Sequence, residues 1–253
     1  MTNADATLPL TGERTVPGYD VENYWFRRHE AAYLALAPRC AGAVVLDAGA
    51  GEGYGAALLA SSARRVVGLE LDATVARHVG GRYPRVAVAR ADLQTLPLAD
   101  RSVDVVVTLQ VIEHLADQLG FLAECARVLR PGGRLHCATP NRLTFSPGAG
   151  PRDRPLNPFH TRELTGAELA GLVTGAGLDV ESLLGLHHGP ALRALDDRHG
   201  GSVIDAQVAL ALSGAPWPDA LAADVAAVTA DDFDLRDDDP DASLDVLVSA
   251  VRP

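Results

Sequence analysis

The stretch Val44-Val45-Leu46-Asp47-Ala48-Gly49-Ala50-Gly51-Glu52-Gly53-Tyr54-Gly55 decides the fold: an apolar run ends in an acid and opens into glycines at alternate positions. A short apolar run bounded by glycine suits a strand buried on both faces. Ala57-Leu58-Leu59-Ala60 beyond it suits the first helix of a strand-turn-helix unit. Glycine belongs where the backbone turns tightly or lies directly against a ligand. The spacing also separates cofactor classes. A dinucleotide fingerprint reads G-x-G-x-x-G and offers bare backbone N–H groups to a pyrophosphate. Here the glycines are two apart, and Asp47 and Glu52 bring negative charge to the turn, which repels a pyrophosphate and favours a cationic ligand.

Downstream of this turn, strand and helix patterns alternate, which predicts an α/β doubly wound sheet. Arg65 to Glu70 reads as the second strand, and its terminal acid suits paired hydrogen bonds to ribose hydroxyls, with Leu71 beside it and Asp72 as a further contact. Val86 to Ala89 is the third strand. After it, Asp92 is placed either to accept an adenine amino hydrogen with Leu93 against the ring, or simply to cap a turn. Ser102 to Thr108 is the fourth strand, and Leu109-Gln110-Val111-Ile112-Glu113-His114-Leu115 leaves its carboxyl end, where open α/β sheets bind ligands. Gln110 and Val111 are expected along the cofactor, and Glu113 and His114 toward a second substrate. Asp117 caps the next helix. Leu129-Arg130-Pro131-Gly132-Gly133 stops it before a fifth strand over Arg134 to Ala138, Leu178 to Leu184 is a sixth, and Asp245 to Val251 is the seventh and last.

Outside this core two segments stand apart. Trp25, Phe26, His29, Ala32, Tyr33 and Leu36 recur at helical spacing in a chain that is only 5% aromatic. The aromatic stripe itself suits core packing, whereas Arg14, Tyr24 and His29 are candidate ligand contacts on a helical lid over the cofactor mouth. From Thr139 to Arg162 the pattern becomes proline-rich and polar and starts at a strand carboxyl end, so it is assigned to the acceptor pocket, with His160 as a candidate base. Thr165-Gly166-Ala167-Glu168 then matches a capping box. His187 and His188 carry no metal-ligand spacing, a helix is expected around Ser202 to Ala211, and Asp231 to Asp241 reads as a solvated acidic loop. The division expected is a leader and lid over 1–41, then one domain over 42–253 with an acceptor loop at 139–164 and an insertion at 187–242.

With 253 residues the chain can bury a large core. Its net charge of -11 argues against nucleic acid as substrate, and three cysteines without ligand spacing argue against a disulfide or zinc framework. No apolar run is long enough to span a bilayer, residues 1 to 10 read as a disordered leader without signal-peptide character, and a cytoplasmic protein is expected.

The ordered set of Asp47 with Gly49, Gly51 and Gly53, then Glu70, Asp92, Glu113-His114 and the Leu129 to Gly133 turn, resembles the class I S-adenosylmethionine-dependent methyltransferases over about residues 42 to 184. The resemblance implies a Rossmann-like seven-stranded methyltransferase sheet flanked by helices and S-adenosylmethionine as cofactor. It also implies cofactor contacts from Asp47, Glu70 and Asp92. Gly12-Glu13-Arg14-Thr15-Val16-Pro17-Gly18 and Glu22 to His29 resemble a narrower family, the mycofactocin oligosaccharide methyltransferases, which O-methylate the sugar chain of a peptide-derived redox cofactor. A sugar hydroxyl is a poor nucleophile and calls for a general base, His114 or His160 with Glu113 as orienting acid, or for a divalent ion held by these groups. Two other readings keep every cofactor motif: methyl transfer to another small molecule such as a quinone or natural product, and a non-catalytic cofactor-binding module.

Overall fold

The computed structural model describes residues 8, 9 and 14–253, and Gly12, Glu13 and most of the leader lie outside them. Among the described residues eight strands form one sheet: β1 (Val44–Ala48), β2 (Arg65–Glu70), β3 (Val86–Arg90), β4 (Val103–Leu109), β5 (Leu129–Pro140), β6 (Asp179–His188), β7 (Phe233–Arg236) and β8 (Asp245–Val251). Their order is β3-β2-β1-β4-β5-β8-β6-β7. The first five are parallel, whereas β8 is antiparallel to both β5 and β6, and β7 is antiparallel to β6. The order reverses between β1 and β4, and the carboxyl ends of those two strands open the crevice in which such sheets bind ligands.

Adjacent apolar residues on the central strands serve opposite faces, which is why these strands read as continuous hydrophobic runs. Leu46 and Val106 pack with Phe121, Leu122 and Cys125 of α4 (Gln118–Val128) and Leu169 and Val173 of α6 (Gly166–Gly175). Val45 and Val107 pack with Leu36 of α1 (Asn23–Leu36), Leu59 of α2 (Tyr54–Leu59) and Val79 of α3 (Ala73–Arg82). Leu8 joins this second cluster, so the leader is packed at that residue rather than disordered. Asp117 caps α4 through the amide of Gly120, and Thr165 with Glu168 forms the capping box of α6, as their sequence positions predict.

The strand count differs from the seven expected. The acidic stretch contains Phe233 and Leu235 alternating with Asp234 and Arg236, a two-residue period that pairs with β6 as β7 and turns Phe233 inward. Sixth-strand pairing also continues beyond Leu184 to His188, which places His187 and His188 in β6 rather than after it. The Pro131-Gly132-Gly133 turn is a bulge inside β5, because Leu129 pairs with Val103 before it and Arg134 with Val105 after it. A single helical turn, α5 (Arg142–Phe145), follows β5. Between β6 and β7 run α7 (Pro190–Arg198), α8 (Val203–Ser213) and α9 (Asp219–Ala227), whose buried Leu192, Val203, Leu221 and Val225 form a third cluster with Tyr24 and Phe233. Among the described residues no helix is long and apolar enough to cross a membrane.

Candidate active site

A cleft of about 530 Å³ lies at the carboxyl ends of β1 and β4. Its floor is the glycine turn. Gly49 adopts φ +91°, and a Cβ there would overlap the Val111 side chain, so the ends of β1 and β4 approach as they do only because the position is glycine. The Gly49 and Ala50 amides both donate to the Leu69 carbonyl at the end of β2, which pins the turn to the neighbouring strand. Gly51 lines the cleft, and a Cβ there would meet no atom of the described residues. Gly53 does not line it: a side chain at Gly53 would press on Val79 and Tyr83, so its role is packing against α3.

The acids divide by environment. Glu70 accepts from the Gly51 amide at 3.1 Å and the Asp72 amide at 2.9 Å, leaving lone pairs of both oxygens toward the cleft it lines. Asp92 accepts from the Gln94 amide at 2.9 Å and also lines the cleft, so a turn-capping and a ligand-facing role coexist in one carboxylate. Asp47 sits beneath the turn, fully buried, receiving the Tyr33 hydroxyl at 3.2 Å on Oδ1 while Oδ2 has no partner among the described residues. Burial pushes its carboxyl up to about 7, with the nearby Glu70 charge adding to the effect against the Tyr33 hydrogen bond. Glu52 faces away from the expected role: His78 at 2.6 Å and Tyr83 at 2.7 Å occupy its oxygens, which ties the turn to α3.

The N-terminal segment forms one wall. Arg14, Thr15, His29, Tyr33 and Tyr54 line the cleft, with the Thr15 hydroxyl 2.7 Å from that of Tyr54 and 3.2 Å from His29 Nδ1. Burial, reinforced by the Arg28 charge, lowers His29 to about 3, so it faces the cleft uncharged. Arg14 pairs loosely with Asp72 at 3.8 Å, and Asp72 also caps α3. Tyr24 corrects the sequence reading: its ring is buried in the third cluster and its hydroxyl contacts His188 Nε2 at 2.6 Å, away from the cleft. Thr15 and the tyrosines Tyr33 and Tyr54 are lining residues the sequence did not single out as such. Only Gly55, where any side chain would collide with the Tyr33 ring, hints at that contact.

The other wall follows β4. Val111 and Leu115 give it apolar surface, and Leu71 after β2 and Leu93 after β3 add theirs to the cleft. Gln110 is held at φ +58°, unusual for a residue with a side chain; its amide donates to the Ala138 carbonyl and its Nε2 to Asp245 Oδ1, each at 3.0 Å. Beyond it Glu113, His114 and His160 come together, one ligand-type atom of each lying within 4.8 Å of the others. His114 lines the cleft and donates from Nδ1 to the Phe159 carbonyl at 3.0 Å. His160 stands behind it, ring centroids 5.0 Å apart, with Nδ1 2.6 Å from Glu163 and Nε2 3.1 Å from the Asn157 amide. Glu113 is buried and accepts from the Thr139 hydroxyl at 2.9 Å, and burial raises its carboxyl to about 7 despite the nearby His160. The proline-rich loop is stitched to this group: the Thr161 and Arg162 amides donate to the Glu113 carbonyl, and Gln118 bridges Ile112 and Arg162.

A family model described as a methyltransferase domain matches residues 46–137, the span from β1 to β5. A relative from Mycolicibacterium smegmatis, described as a probable S-adenosylmethionine-dependent methyltransferase, is 60% identical over 251 residues, covering 98% of this chain and 96% of its own. One from Mycobacterium tuberculosis with the same description is 58% identical over 256 residues, covering 100% of this chain and 92% of its own. The chain belongs to the S-adenosylmethionine-dependent methyltransferases. A crystal structure of such an enzyme from Thermotoga maritima shares the fold at 18% identity, with a TM-score of 0.60 over 90% of this chain and 93% of its own.

S-adenosylmethionine is therefore the cofactor of this methyltransferase, and the cleft suits it. Glu70, Asp72 and Asp92 line the cleft, Asp47 lies just below with an oxygen unpartnered among the described residues, and His29 brings no charge, so the surroundings favour a ligand carrying ammonium and sulfonium groups.

Proposed function

We propose that this methyltransferase, a cytoplasmic enzyme, moves methyl to a hydroxyl of a sugar, with the mycofactocin oligosaccharide as acceptor. The observation that carries the hydroxyl reading is the meeting of Glu113, His114 and His160 where the cleft wall joins the polar 139–164 loop. The mycofactocin reading is supported by the resemblance of residues 12–18 and 22–29.

Bound S-adenosylmethionine supplies an electrophilic methyl group. Glu70 takes the ribose hydroxyls, and Asp92 the adenine amino group, with Leu71 and Leu93 against the ring. Gly49, Gly51, Gln110 and Val111 line the remainder, and Asp47 contributes charge from below. Arg14 and His29, on the segment that serves as the lid, close the opposite side. The acceptor loop presents the hydroxyl oxygen to the methyl carbon, and much of the acceleration comes from holding the two aligned. His114 and its neighbours draw the hydroxyl proton away as the oxygen attacks.

The test is methyl transfer from isotopically labelled S-adenosylmethionine to a panel of mycofactocin glycosides, simple glucans and quinones, read by mass spectrometry. Label on a sugar oxygen is expected, and label on the quinones alone overturns the reading. His114→Ala is expected to lower turnover by about 10²–10⁴-fold while calorimetry finds S-adenosylhomocysteine binding retained.

A further inference from the structure

Glu113, His114 and His160 are arranged more tightly than hydroxyl contact alone requires. The Phe159 carbonyl can only accept, which puts the His114 proton on Nδ1, and the Asn157 side-chain amide donating to His160 Nε2 puts the His160 proton on Nδ1, toward Glu163. Each ring is left with its Nε2 lone pair. This is how metal-binding histidines are prepared: a carboxylate or backbone carbonyl behind one nitrogen sets the tautomer and orients the other. Glu113 completes the set in the same manner, with Thr139 holding Oε2 and Oε1 left over. Glu163 itself is buried, so the carboxylate behind His160 is a fixed part of the interior rather than a surface acid.

We propose that Glu113, His114 and His160 form a site for a divalent first-row transition-metal ion. Two imidazole nitrogens and one carboxylate suit Mn²⁺, Fe²⁺, Co²⁺ or Zn²⁺ better than a hard cation that prefers oxygen alone. The contact that competes is the Asn157 side-chain amide, 3.1 Å from His160 Nε2. Asn157 belongs to the acceptor loop, so an ion taking that lone pair releases Asn157 toward the substrate. Three protein ligands leave coordination positions open on the cleft side, where His114 lines the wall.

The ion's catalytic part rests on the hydroxyl-acceptor reading above; the site itself does not. With the ion bound, His114 is a ligand and no longer the base: an acceptor hydroxyl reaching the open position is polarised, and its proton passes to solvent water. The oxygen then forms its bond to the methyl carbon as the sulfur–methyl bond breaks, with that electron pair returning to sulfur.

The experiment is Mn²⁺ titration of the chelator-treated full chain, followed by electron paramagnetic resonance, with Co²⁺ absorption as a second probe. One saturable ion per chain is expected, lost in Glu113→Gln and in His160→Ala. Glu163→Gln, which keeps His160 but weakens its support, is expected to reduce affinity by about 10–100-fold. Retained S-adenosylhomocysteine binding shows that each variant is folded. Absence of saturable Mn²⁺, Co²⁺ or Zn²⁺ binding in the millimolar range overturns the site, as does wild-type affinity in both Glu113→Gln and His160→Ala. Full transfer by the chelated enzyme overturns the ion's catalytic part. Saturable binding together with methylation of the quinones alone supports the site and overturns the sugar reading instead.

Discussion

At the scale of single residues, Asp47 shows how position sets chemistry. Its place at the end of β1 puts a carboxyl in the interior, where burial raises it to about 7 and the Tyr33 hydroxyl offers only partial compensation. Because the folded-state value is raised, the proton Asp47 holds contributes stability that is fully present below the ordinary carboxylate range. That contribution is lost as pH rises through about 7. Cofactor binding runs the other way, since a cationic ligand favours the ionised form. Affinity for S-adenosylhomocysteine, which keeps the ammonium, is expected to climb by up to about tenfold per pH unit below 7 and level off above it. Calorimetry from pH 5.5 to 8.5 reads this directly, and Asp47→Asn should flatten the profile. A slope unchanged in the variant would assign it to another group. Asp47 as an acid at the turn was legible in the sequence, but its protonation behaviour was not, because burial and the Tyr33 contact join residues from separate elements.

At the scale of elements, α1 and β8 are joined by a buried ion pair. Arg28 donates from Nε to Asp245 Oδ2 at 2.8 Å and from Nη2 to Oδ1, with the guanidinium also lying over the Phe145 ring. Asp245 Oδ1 receives Gln110 as well, so one carboxylate links the N-terminal helix, the last strand and the strained cleft residue. Removing it strands a buried cation. Asp245→Ala is expected to cost about 3–5 kcal/mol, and the Arg28→Met, Asp245→Leu pair should recover much of that, as measured by urea unfolding. Equal losses in the single and double variants would show that the charge is not what matters. Neither partner announces itself in sequence, since Arg28 lies among helical polar residues and Asp245 reads as the first residue of a strand. β7 was hidden for a related reason: its two apolar residues sit within the aspartate-rich 231–241 stretch, and only pairing with β6 and packing on Tyr24 reveal the alternation.

At the scale of the whole molecule, the cleft is assembled from parts far apart in the chain: residues 14–33, the β1 turn, the ends of β2 and β3, and the β4 exit. A ligand that bridges them should stabilise the fold as a unit. S-adenosylhomocysteine at 100 times its dissociation constant contributes about 2.7 kcal/mol, which for a chain of this size raises the melting temperature by roughly 5–10 °C. Differential scanning calorimetry checks this, with NAD as the control expected to give no shift. An equal shift with NAD would mean that the glycine spacing and the acids at the turn do not discriminate against a pyrophosphate.

The sequence by itself determined the α/β order, the turn at Asp47 to Gly55, the acids at Glu70 and Asp92, and the caps at Asp117 and Thr165. All of these depend on local periodicity, backbone permissiveness or an acid's distance along the chain. Only the tertiary structure decided that Tyr24 belongs to the third hydrophobic cluster and that Gly53 and Glu52 serve α3. It also decided that Thr15, Tyr33 and Tyr54 line the cleft, and that His160 reaches His114 with Glu163 behind it. Those outcomes rest on which surfaces meet when the sheet closes, and no local pattern in the chain encodes that.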